Sequence, residues 1–87
     1  MNFNEIYSKY KVIVYNVALH YSQSIEDAEE ITQDVFVSLY EKVQFFREDA
    51  SLKTWIYKIT VNKSLDFLRA KKRQKRFAFI TSIFTPD

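Results

Sequence analysis

Apolar side chains return along this chain at intervals of three and four residues, the spacing that lines up one face of an α-helix. In the first segment Ile6, Tyr10, Ile13, Val14, Val17 and Tyr21 keep that interval, with Asn4 ahead of them as the candidate N-cap. Ser24 is the candidate cap of a second helix, and Asp27 three positions on is a weaker capping-box partner than glutamate. Behind it Ala28, Ile31, Val35, Leu39 and Val43 form one apolar face. The periodicity lapses over QFFREDAS, so residues 44–51 are expected to be a loop with room for a short fourth helix, and Ser51 is expected to cap the next long one. That third helix should run from Leu52 to about Lys75. It is apolar on two sides, with Leu52, Ile56, Ile59 and Phe67 on one and Tyr57, Val61, Leu65 and Leu68 on the other. Such a helix is either sandwiched in a bundle or shared between core and partner. Glycine is absent and the single proline is Pro86, which removes the usual hairpin and loop punctuation. The pattern predicts an all-α fold, a small bundle of three long helices.

The polar positions divide by sign. On the second helix Asp27, Glu30, Asp34 and Glu41 form an acidic stripe opposite the apolar face, flanked by Phe36 and Tyr40. A solvated face is the plain reading of such a stripe, but exposed aromatics beside carboxylates suit a protein interface. RAKKRQKR, residues 69–76, places six cations in eight positions. A run of like charge is commonly a solvated tail. This one continues a helix that already carries Lys58 and Lys63 near aromatics, an arrangement suited to phosphate and base contact. Trp55 and Ile59 read as core. Asn62, a polar residue in an apolar helix, must be hydrogen-bonded inside or aimed at a partner.

Composition narrows the choices. The 87 residues amount to one domain, and 47% hydrophobic with 17% aromatic residues points to a packed globule. The net charge of +2 hides an asymmetry. Residues 1–49 hold four Lys/Arg against nine Asp/Glu, residues 50–76 hold nine against Asp66 alone, and the remainder adds only Asp87. Two partners are expected, one basic and one strongly anionic. With no cysteine there are no disulfides or thiolate-bound metals. The lone His20 gives neither a histidine cluster nor a Glu-x-x-His pair for a di-metal bundle, and it has no nucleophile beside it. Neither a cofactor, nor a metal, nor enzyme activity is expected. No apolar run reaches the ~18 residues of a membrane span and the N-terminus has no signal-peptide core, so a soluble cytoplasmic protein without membrane insertion is expected.

DAEEITQDVF, then a loop, then ASLKTWIYKITVNKSLDFLRAKKR resembles conserved region 2 of bacterial sigma factors, in particular the extracytoplasmic-function (ECF) group. The resemblance spans about residues 7–76, with both motifs in the family's order and separation. It implies a sigma region 2-like bundle over 1–76 that recognises and opens the promoter −10 element. Residues 77–87 would be a linker toward a C-terminal helix-turn-helix domain that these residues do not include. It implies that Glu30, Gln33, Asp34, Phe36 and Tyr40 dock on the clamp helices of the RNA polymerase β′ subunit. Lys58, Asn62, Lys63, Arg69, Lys71, Lys72 and Arg73 would face promoter DNA, with the 44–51 loop trapping an unstacked base of the non-template strand. An anti-sigma factor is a further implied partner. One departure matters: primary sigma factors carry a tandem aromatic pair at the start of this helix, whereas Trp55 is followed by Ile56. Weaker melting and narrower promoter choice are expected. From other classes, a small helical adaptor that uses only the acidic face, or a membrane-surface helix, would also account for the charges.

Overall fold

The computed structural model describes residues 2–46 and 51–84. Three α-helices, α1 (Phe3–Ser22), α2 (Ile25–Lys42) and α3 (Leu52–Phe84), are joined by a two-residue link and by a segment that begins with a 3₁₀ turn, Val43–Phe45. The fold class is all-α, as the periodicity predicts.

α1 begins earlier than its apolar pattern suggests. The cap is Asn2 rather than Asn4: its side-chain oxygen accepts the Glu5 N–H at 2.9 Å, which ties up one of the orphan donors of the first turn. Phe3 is thereby drawn into the helix. Burial then runs every fourth residue through Ile6, Tyr10, Val14 and Ala18, while Ile13 stays 38% exposed and Val17 and Tyr21 are half-buried. Gln23 ends the helix in the left-handed region at φ 56°, with its N–H donating to the Leu19 carbonyl at 2.8 Å. The chain reverses there, and Ser24 caps α2 by accepting the Asp27 N–H at 3.3 Å.

α2 buries Ala28, Ile31, Val35, Phe36, Ser38 and Leu39. Its neighbour Val43 lies half-buried in the 3₁₀ turn, packed against the core. The segment expected as a loop falls partly within that turn; residues 47–50 lie outside the described residues. Ser51 caps α3 as expected, its hydroxyl accepting the Thr54 N–H at 3.3 Å.

α3 differs most from expectation. It continues past Lys75 to Phe84, for 33 residues. Nothing between Lys71 and Phe84 breaks a helix, and Lys, Arg, Gln and Ala all favour one. Its buried line is Ile56, Thr60 and Ser64, so two of the three fully buried positions are hydroxyls. Each is satisfied within the helix: Thr60 donates to the Ile56 carbonyl and Ser64 to the Thr60 carbonyl, both at 2.8 Å. Leu52, Trp55, Ile59 and Phe67 pack partly buried around this line. From Lys72 to Phe84 every residue is exposed, so α3 leaves the bundle as a free arm. At 1.5 Å per residue that arm is about 20 Å long, within a molecule that measures 57 × 23 × 17 Å.

Candidate functional site

Two faces stand out, one on α2 and one on α3. On α2, Glu30, Asp34 and Glu41 are exposed along one row, steps of four and seven that a helix brings into line, with the exposed Gln33 beside them. Val37, 59% exposed, interrupts the row with an apolar side chain. Asp27, expected in the same stripe, is turned toward α3 instead.

Phe36 corrects the expectation of an exposed aromatic: it is only 5% accessible. Its ring meets Tyr7 edge-on at 4.9 Å and Phe3 at 6.3 Å, while Phe3 also stands edge-on to Tyr40 at 5.2 Å. Burial follows from position, because Phe36 adjoins Val35 and Leu39 on the core side of α2. Tyr40 is exposed at 67%, as expected. These rings form the floor and wall of a groove of about 490 Å³, bordered by Gln33, Val37 and Glu41. Gln33, Phe36 and Tyr40 thus come together, with Glu30 and Asp34 on the adjoining row. Phe3 and Tyr7 do not stand out in their sequence context. Their i, i+4 spacing is the available signal, and it is masked as long as Asn4 is taken for the cap.

On α3, Lys58, Asn62, Arg69, Lys72 and Arg73 are all exposed. At about 100° per residue, Lys58, Asn62, Arg69 and Arg73 fall within a single outward quadrant, opposite Ile56, Thr60 and Ser64. Lys72 flanks them, and Arg76, also exposed, extends the row. The Asn62 side chain is exposed, where its amide can meet a partner. Arg69 pairs with Asp66 at 3.2 Å, but both side chains are about two-thirds exposed or more (67% and 71%), so the contact holds little energy and is easily exchanged. Lys63 and Lys71 are half-buried and point away from that quadrant. Lys71 donates to the Asp27 carboxylate at 2.5 Å. At the base of α3, Trp55 lies half-buried with Phe46 tilted against it, ring centroids 5.1 Å apart, beside the exposed Gln44 and Phe45.

Among the described residues no group of His, Cys, Asp or Glu could hold a metal ion, and no helix is long and apolar enough to cross a membrane. His20 is exposed and stands edge-on to Tyr21 at 5.4 Å. The arrangement offers charged and stacking surfaces.

The family model Sigma-70 region 2 matches residues 6–74. The chain belongs to this family. The sigma-70 region 2 match takes in α1, α2 and the bundled part of α3, and stops close to where the arm begins. Curated relatives include the ECF RNA polymerase sigma factor SigW of Bacillus subtilis, 30% identical over 70 residues, which is 80% of this chain and 37% of that protein. SigM of Mycobacterium tuberculosis, also an ECF RNA polymerase sigma factor, is 31% identical over 80% of this chain and 36% of its own length. The ECF RNA polymerase sigma-E factor of Haemophilus influenzae is 31% identical over 83% of this chain and 38% of its own. This region 2 chain therefore spans little more than a third of the length of the curated relatives it matches.

Proposed function

We propose that this chain is the promoter −10 recognition and strand-opening domain of an ECF-type sigma factor, acting in the cytoplasm on the RNA polymerase core. The observation that carries the reading is the segregation of its two charged faces: an acidic row beside an aromatic groove on α2, and a cationic row on α3. A single domain can then engage a basic protein surface and a nucleic acid together. In this reading Glu30, Gln33, Asp34, Tyr40 and the rim of Phe36 dock on the β′ clamp helices. Lys58, Asn62, Arg69, Lys72 and Arg73 meet the promoter, with Lys63 at the margin of that surface.

The division of labour on α3 follows from chemistry. Cations contact phosphates, which are alike at every base, and so supply affinity and orientation. Asn62 can read a base edge, and the Phe46–Trp55 pair offers a stacking face to a base that has left the duplex. With one indole in place of a tandem pair, this face favours a narrow promoter set. A regulating anti-sigma factor would silence the domain by covering either face.

Reversal of charge at Asp34 or Glu30 to arginine is expected to weaken binding to a clamp-helix fragment of β′ by more than ~10-fold while the helical spectrum stays unchanged, because like charges then face each other across the interface. Unchanged affinity in the folded variant would remove α2 from the polymerase interface. Single-stranded DNA bearing the matching −10 element is expected to bind more tightly than a scrambled strand, and exchange of residues 44–51 for a serine-rich sequence to reduce the difference, with Asn62 carrying what is left. A small helical adaptor would instead keep the α2 interaction and show no salt-dependent affinity for DNA.

A further inference from the structure

The Asp27–Lys71 pair joins two elements 44 residues apart in sequence. Among the described residues it is the one ion pair between helices, since Arg69–Asp66 lies within α3. Lys71 continues the inward line of α3, four residues past Phe67 and seven past Ser64, so the stripe that begins in buried side chains ends in a cation. Its partner is more enclosed than it is: the Asp27 side chain is 15% exposed and that of Lys71 42%. Asp27 sits in the first turn of α2, where an anion is favoured by the helix dipole and where its own N–H is already taken by Ser24. The helix dipole thus favours the ionised carboxylate whether or not Lys71 meets it. Immediately beyond Lys71 every described residue of α3 is exposed.

We propose that Asp27 is an internal counterion that removes Lys71 from the DNA-contacting set and pins α3 at the point where its arm leaves the bundle. The DNA half of this proposal rests on the function proposed above; the pinning half does not. Pairing with Asp27 already offsets the Lys71 charge, and a phosphate that broke the pair would leave Asp27 largely enclosed and unpaired, at more cost than an exposed lysine meets on exchanging water for phosphate. Of the cations in 69–76, Lys72, Arg73, Lys75 and Arg76 are fully available, Arg69 is available by exchange, and Lys71 is not. Asp27 therefore limits the sequence-independent part of DNA affinity and leaves relatively more of the total to base contacts.

The test is a salt titration of binding to a short single-stranded DNA, with wild type, Lys71→Gln, Lys72→Gln, Asp27→Asn and the Asp27→Asn/Lys71→Gln double variant. Lys72→Gln should flatten the plot of log affinity against log salt by roughly 0.7, the value for one phosphate contact on a single strand. Lys71→Gln should leave the slope unchanged. Asp27→Asn should steepen it by roughly 0.7 as Lys71 becomes free, and the double variant should return to the wild-type slope. Thermal unfolding of wild type and the three variants at positions 27 and 71, without DNA, should show a several-fold non-additivity in the folding equilibrium constant. If Lys71→Gln flattens the slope as much as Lys72→Gln, the pair opens on DNA and the counterion role is wrong. An additive unfolding cycle would remove the pin. If the wild type shows no salt-dependent DNA binding, the DNA reading and the counterion role fall together, while the unfolding cycle still decides whether the pair holds α3.

Discussion

Gln23 occupies the one left-handed backbone position among the described non-glycine residues, at φ 56°. For an L-residue that conformation costs roughly 1–2 kcal/mol, which a glycine avoids. The side chain recovers part of it by donating from Nε2 to the His20 carbonyl at 2.7 Å, an exposed bond of small net value. Gln23→Gly is therefore expected to stabilise the chain by about 0.5–1 kcal/mol, the gain at the helix end exceeding the entropy added to the unfolded state. Gln23→Val should destabilise it by ~1–2 kcal/mol, since a β-branched side chain tolerates positive φ poorly. Urea denaturation of the three proteins checks both signs. Phe36 carries a parallel lesson about single positions. It has the spacing of a flanking residue, yet a ring next to Val35 and one turn from Leu39 gains more by burial than by exposure.

Along α3, polar residues stand where a core would ordinarily be aliphatic. Ser64 has no accessible surface and its hydroxyl is already bonded to the Thr60 carbonyl. Ser64→Ala should change stability by no more than about 1 kcal/mol, whereas Ser64→Leu should cost ~1–3 kcal/mol by forcing helices apart at full packing; thermal melts would separate the two. A period of 3.6 residues makes the helices, their order and two of their caps legible, because Ser24 and Ser51 stand directly before their apolar runs. It cannot show that Thr60 and Ser64 are the inward positions, since apolar counting skips hydroxyls that satisfy themselves on their own helix. The acidic row on α2 is legible for the same geometric reason. Counting the cations does not phase them: Lys63 and Lys71 carry the charge of the α3 row but lie half-buried outside its quadrant. Taking residues 77–87 for a linker also hides the length of α3, although neither glycine nor proline stands between Lys75 and Phe84.

Taken whole, the molecule is a short three-helix bundle with one helix that outruns it. Packing protects only the bundled part, so amide exchange in α3 should divide near Lys71. Amides on Ile56, Thr60 and Ser64 are expected to exchange only with global unfolding, and those from Arg73 onward orders of magnitude faster, because a free helix of this length is marginal in water. Uniform protection along α3, measured by hydrogen exchange with mass spectrometry, would contradict this division. The free arm also makes α3 a lever whose fulcrum is Lys71. With about 20 Å of chain beyond the fulcrum, a tilt of only ~10° swings Phe84 sideways by roughly 3–4 Å while the arm is helical, about the reach of a hydrogen bond. A change at the bundle surface too small to disturb any core contact can thus be magnified at the tip, with Asp27 setting how stiffly the lever is mounted.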